Sequence, residues 1–258
     1  MKKKIIIANW KMSLGLKETG SLTSEILKGL KKIKNLQNLE IVLCPSFIAL
    51  PMVKELVKNS SLPIFLGAQN VFWEEKGAYT GEVSVSMLKE LGVNYIIVGH
   101  SERRDYLKED DEMVHKKIRI VLDYNLIPIL CIGETFEERQ LGQKDYVIIK
   151  QLSTSLEGIN FEKNDQLVIA YEPVWVIGSG QAVAPEEAEY TNQVIIQRLI
   201  DLFPMELVKN NFRIIYGGSV DSTNIKNFAR RKIDGFLVGG ASLEALEFLK
   251  IIELCSSI

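Results

Sequence analysis

The stretch "QLVIAYEPVWVIGSGQAV", Gln166–Val183, runs from an unbroken apolar segment into a glutamate, a proline and a tryptophan, and then two glycines one residue apart. A short continuous run such as "LVIA" fits a strand covered on both faces, as in a parallel sheet, because an antiparallel strand with one wet face would alternate. Pro173 pushes Glu172 toward extended backbone, so the strand is predicted to end with a carboxylate projecting from it. A glycine-bearing loop follows, and then "APEEAE", whose proline and acids suit a helix N-terminus, opening a helix over Pro185–Leu202.

The same strand–loop–helix unit recurs along the chain. "KIIIANW", "LEIVLC", "LPIFLGA", "NYIIVG", "IPILCIG", "FRIIYGG" and "DGFLVGG" are further continuous apolar runs. Segments with helical spacing lie between them, such as Glu112–Tyr124, where Met113, Ile120 and Val121 recur among charges. Hairpin signals are nearly absent, and Asp234-Gly235 begins a strand instead of joining two. Eight such units in about 250 residues, with no linker or low-complexity tract, predict a single (β/α)₈ barrel over residues 1–258, eight parallel strands surrounded by helices. A doubly wound open sheet competes with it on the same periodicity.

The chain has 258 residues, 47% hydrophobic and 25% charged, with a formal charge of −2. This balance offers no basic footprint for nucleic acid and no polybasic patch for a membrane. No segment is long enough to span a bilayer, and the apolar run of "MKKKIIIANW" is too short for a signal peptide. Cys44, Cys131 and Cys255 are scattered and lack CxxC spacing, which suggests no disulfide framework and no metal site and fits a cytoplasmic protein.

In a barrel of this kind the chemistry gathers where strands end. Those ends hold Asn9, Lys11, His100, Glu172, Gly217 to Ser219 and Gly239-Gly240. Glu172 beside apolar residues is a candidate general base whose proton affinity burial would raise; the plain alternative is a solvated acid. His100 precedes "SER", a helix start, where the dipole favours a neutral ring able to donate to a substrate oxygen; otherwise it is a buried histidine satisfied by backbone. His115, in a charged helical segment, reads as a solvated face. Lys11 places a cation against an anionic substrate, or is a surface charge. The glycine pairs after the last two strands suit phosphate bound by backbone N–H groups, although each is also a plain turn.

Taken together, "ANWKM", "VGHSERR", "ILCIGE", "AYEPVWVIGSG", "YGGSV" and "GFLVGGASL" resemble, in order and along the whole chain, the triosephosphate isomerase family. The resemblance implies a cofactor-free interconversion of dihydroxyacetone phosphate and D-glyceraldehyde 3-phosphate through an enediolate, in glycolysis and gluconeogenesis. It implies Glu172 as the base, His100 as the neutral group polarising the carbonyl, and Lys11 and Asn9 as stabilisers of the enediolate oxygen and the dianion. Gly178, Ser219, Gly239 and Gly240 would cradle phosphate. Ser101 would hold Glu172 at rest, and Glu102 would support Lys11. Pro173 and Trp175 would form the stiff hinge of a lid whose tip, Ile177 to Gly180, is held shut by Tyr216 and Ser219. "GAQN" and "GAYTGE" fit the family's interface loop, which implies a homodimer in which Thr80 reaches the partner's site. The chain departs from the family at Val176, Ser179, Gln181 to Val183 and Ser13, none of them a proton-transfer position. Two rival readings remain: another phosphosugar enzyme on the same barrel, and a non-catalytic phosphate binder. Neither requires Glu172, His100 and Lys11 together.

Overall fold

The computed structural model describes residues 2–177, 181–229 and 231–257. Eight strands follow one another in space as in sequence: β1 Lys4–Asn9, β2 Leu39–Cys44, β3 Ile64–Ala68, β4 Tyr95–Val98, β5 Ile127–Ile132, β6 Leu167–Tyr171, β7 Phe212–Tyr216 and β8 Gly235–Val238. Every pairing is parallel, and β8 returns to β1 with Ile5 opposite Gly235. That last pairing closes the barrel and rules out the open sheet.

The continuous apolar runs are explained by two cores. Residues two apart share a face of a strand. Ile5 and Ile7, Ile97, Ile129, Val168 and Ala170, Ile215 and Leu237 fill the barrel interior. The residues between them, such as Ile6, Leu43, Ile96, Leu130 and Ile169, pack outward against the helices. The expected helix at Pro185–Leu202 begins at its proline, with Glu186 and Glu187 in the first turn.

Two details of the sequence reading change. The helix at Asp111–Asp123 buries Val114, Lys117, Ile118, Val121 and Leu122, so Met113 and Ile120 lie at the margin of the face. Lys117 is on the buried side because its ammonium is met by Glu109 at 2.5 Å and Asn70 at 2.8 Å. His115 is half-buried between helices, its Nδ1 lying 3.3 Å from the Ser155 carbonyl, and is not a solvated face.

The two-residue period also fixes what stands at each end of the interior. At the start of the strands, Glu40, Tyr95 and Arg213 meet and form the floor. At the other end the inward series of β1 and β6 run on to Asn9 and Glu172, and that of β8 to Gly239.

Candidate active site

The inward series of β1, Ile5–Ile7–Asn9, continues to Lys11, which adopts a left-handed backbone with φ 50°. That unusual turn is held from two sides. The Lys11 N–H donates to Asn9 Oδ1 at 3.1 Å, and Gln69 Nε2 donates to the Lys11 carbonyl at 2.8 Å. The Lys11 ammonium then reaches Glu102 Oε1 at 2.5 Å.

His100 lies outside the inward period of β4, which is Tyr95, Ile97, Gly99. Gly99 corrects for this with φ +69°, a turn that L side chains disfavour. The turn is bolted down where Glu109 Oε1 accepts the Gly99 N–H at 2.9 Å and Arg104 Nε donates to its carbonyl at 2.7 Å. His100 thereby becomes the residue before the helix Ser101–Tyr106, and its Nδ1 accepts the Glu102 N–H at 3.2 Å. Its Nε2 faces Glu172 Oε1 at 3.1 Å.

Glu172 is 2% exposed. Its N–H still bonds the Ile132 carbonyl at 2.7 Å, so the ladder between β5 and β6 runs one residue beyond the strand. Its second oxygen, Oε2, accepts the Ser101 N–H at 3.1 Å, so Ser101 holds the carboxylate through its backbone. Here the proton affinity differs from the expectation. Burial alone would raise it, but the His100 ring, the Ser101 N–H and the Lys11 charge outweigh burial and hold Glu172 below the usual carboxylate range. On the ring, burial disfavours charge, while the adjacent carboxylates, Glu172 above all, lift its proton affinity. A second proton would have to sit on Nδ1, against the Glu102 N–H that points at it. With Nδ1 accepting that bond, Nε2 carries a proton directed at Glu172.

Asn9, Lys11, His100 and Glu172 line one cavity of 420 Å³ with Ile177, Ser219, Gly239 and Gly240. A short helical turn, Gly240–Leu243, starts at the last of these glycines. The cavity therefore has a carboxylate and an imidazole, and also a cation and glycine backbone that can meet an anion. Gly178, and with it the stretch 178–180, lies outside the described residues.

Pro173 leads into a single helical turn, Val174–Val176. The Trp175 indole N–H donates to Glu134 Oε1 at 2.9 Å, and the Arg139 guanidinium lies 4.4 Å above its ring. Tyr216 is buried beside the cavity, its hydroxyl accepting the Val183 N–H at 3.4 Å. Thr80 is exposed and does not reach the cavity of its own chain. On the loop that carries it, the Phe72 ring packs at a tilt against Trp73 and Tyr79, with centroids 4.2 Å and 4.6 Å away.

Leu237 and Glu134 are among the contributors that escaped the sequence reading. Leu237 lines the cavity and could have been found by counting back two residues from Gly239 along β8. Glu134 closes the run "ILCIGE" without a role of its own; its partner Trp175 follows another strand, and no local pattern pairs them.

The model of the family described as triosephosphate isomerase matches residues 4–255. A protein of Dictyoglomus turgidum named triosephosphate isomerase is 47% identical over 255 residues, 98% of this chain and 100% of the relative. Proteins of the same name from Dictyoglomus thermophilum and Caldanaerobacter subterraneus are each 45% identical over 254 residues, 98% of this chain and 100% of the relative.

Proposed function

The chain belongs to the triosephosphate isomerase family, and from that premise we propose that Glu172, His100, Lys11 and Asn9 carry the proton transfers that interconvert dihydroxyacetone phosphate and D-glyceraldehyde 3-phosphate. The observation that carries this reading is the contact of Glu172 Oε1 with His100 Nε2 at 3.1 Å, inside a cavity that also holds Lys11 and the glycine pairs.

The net reaction moves one hydrogen from carbon to neighbouring carbon and one from oxygen to neighbouring oxygen, leaving the phosphate ester intact. It requires no oxidant. A substrate seated between the two side chains displaces their mutual bond. Glu172 then removes the proton α to the carbonyl and returns it to the adjacent carbon. The Nε2–H, freed from Glu172, donates to the carbonyl oxygen and carries the hydroxyl proton across. Lys11 and Asn9 stabilise the oxygen on which negative charge develops, an effect strongest when water is excluded. Backbone N–H groups at Ser219, Gly239 and Gly240 receive the phosphate, joined in this reading by Gly178. Pro173, Trp175 and Ile177 lead into the lid that excludes water, with Tyr216 and Ser219 as its anchors. These steps belong to glycolysis and gluconeogenesis. Three buried cysteines without disulfides support a cytoplasmic setting, and no helix among the described residues is long and apolar enough to cross a membrane.

The test is a coupled assay with dihydroxyacetone phosphate and no added metal or nucleotide. Glu172→Asp withdraws the carboxylate by one methylene and is expected to lower kcat by about a hundredfold or more while KM changes little. A variant keeping half of wild-type kcat would remove Glu172 from the role of base.

The chain acts, in this reading, as a homodimer. Met12 is 98% exposed and Tyr79 44% exposed. Apolar surface of this kind, on the loop after β1 and on the Thr80 loop, is what a second copy would cover. Sedimentation is expected to show a dimer that loses activity on dilution into monomers; a fully active monomer at assay concentration overturns the assignment.

A further inference from the structure

In a parallel sheet, alternate residues of a strand turn their N–H and C=O toward one neighbour and the residues between them toward the other. On β5 the Ile127 N–H bonds Asn94 on the β4 side, so residues 129, 131 and 133 face β4 as well. Ile132 faces β6 and accepts the Glu172 N–H. But β4 ends at Val98, and the Gly99 turn takes the chain away into a helix. The backbone of β5 beyond that level has lost its neighbouring strand on this side, and buried peptide groups left unpaired are costly.

Side chains take over there. The Cys131 carbonyl receives Arg104 Nη2 at 3.4 Å. Gly133 receives both ends of one carboxamide: Gln151 Oε1 accepts its N–H at 2.8 Å, and Gln151 Nε2 donates to its carbonyl at 3.2 Å. Gln151 comes from the helix Lys144–Leu156 and does not line the cavity. Yet Gly133 lies directly against Glu172. A Cβ on Gly133 would stand 1.7 Å from the Glu172 carbonyl oxygen and 2.6 Å from its carbon, so the two backbones run against each other with no room for a side chain between them.

From this geometry we propose that Gln151 is a positioning residue for the isomerisation. Its carboxamide replaces the missing strand, holds Gly133, and through Gly133 and Ile132 fixes the backbone from which the Glu172 carboxylate projects. The proposal rests on the reading of Glu172 as the base.

Gln151→Met keeps the length of the side chain and removes both hydrogen bonds; Gln151→Glu keeps an acceptor for the Gly133 N–H and loses the donor. For reacting groups displaced by a fraction of an ångström, Gln151→Met is expected to lower kcat about tenfold or more with KM for dihydroxyacetone phosphate within about twofold, and Gln151→Glu to fall between it and wild type. Introduced into Glu172→Asp, where the carboxylate is already withdrawn, Gln151→Met is expected to cost a distinctly smaller factor than in wild type, since residues acting through one another do not add. If both Gln151 variants fold and keep kcat within about twofold of wild type, even with a lowered Tm, the residue merely supports the fold and the proposal is overturned. An equal factor in the two backgrounds overturns it too. Should Gln151→Met fail to fold, Gln151→Glu alone and with Glu172→Asp decides by the same comparison. A fully active Glu172→Asp sinks the base assignment itself, whereas an impaired Glu172→Asp beside a fully active Gln151→Met sinks only the role of Gln151.

Discussion

At the floor of the barrel Arg213 is matched group for group. Its Nη1 meets Glu40 at 2.5 Å, and its Nη2 donates to the Tyr95 hydroxyl at 3.0 Å and to Gln166 at 3.2 Å; Tyr95 in turn donates to Glu40 at 2.6 Å. At the rim Glu172 is at least as deeply buried, but its partners are an imidazole and one peptide N–H, and a cavity opens beside it. The interior of one barrel produces both clusters, the floor from β2, β4 and β7 and the rim from β1, β6 and β8 with His100 turned in after β4. Burial of charge therefore does not mark a site in this barrel. The mark is a charged group whose bonds can be exchanged for those of a ligand, because only such a group can do different work in the ground and transition states. The floor network is closed to exchange and fixes the packing of the interior.

The sharpest way to break this contrast is to measure turnover and stability at both ends. Glu172→Asp, with its large expected loss of kcat, should leave Tm nearly where it was. Arg213→Met should do the reverse. It leaves Glu40 without its cation, and removing one member of a buried pair costs about 3 kcal/mol, which in a domain of this size lowers Tm by roughly 6–12 °C. The kcat of the folded variant should stay within about twofold of wild type, since nothing at the floor touches substrate. A floor variant that loses turnover in proportion would show that the two ends are coupled through the barrel.

The rim was largely readable from the chain and the floor was not. Glu172 is announced by the proline after it, and Asn9, Lys11 and the glycines by their places at strand ends, all of them local signals. His100 needed one more step, because only the left-handed turn at Gly99 brings it inward. Arg213, by contrast, is an unremarked charge in "FRIIY", and Lys117 looks like any lysine of an exposed helix. What makes each tolerable in the interior is a partner on another element: Glu40 and Tyr95 for one, Glu109 and Asn70 for the other. Gln151 escaped for the same reason. Its task exists only because β4 is shorter than β5, a difference in strand length that no pattern within the helix records. The proposed homodimer, likewise, is suggested by apolar residues in a long loop, but the surface they would cover would belong to a second chain.

The smallest effect separates the two ends by pH. In the folded protein Glu172 is held below its ordinary value of 4.5 by His100, Ser101 and Lys11 acting against burial, while Arg213 titrates far above any acid range. Above the unfolded value both folded and unfolded chains carry the Glu172 carboxylate ionised, and the folded state keeps the full benefit of its contacts. As pH falls through 4.5 toward the depressed folded value, the unfolded chain takes up the proton first, so stability is lost in that window and not above it. One proton limits this loss to about 1.4 kcal/mol per pH unit. Glu109, also held low by Lys117 and Arg103 against its burial, contributes acid sensitivity of its own. The useful quantity is therefore a difference between variants. Urea unfolding between about pH 5 and pH 3 is expected to show wild type losing stability more steeply than Glu172→Gln. Parallel curves for wild type and Glu172→Gln would mean that the rim contacts do not favour the ionised carboxylate, and the contrast between an exchangeable rim and a closed floor would lose its electrostatic basis.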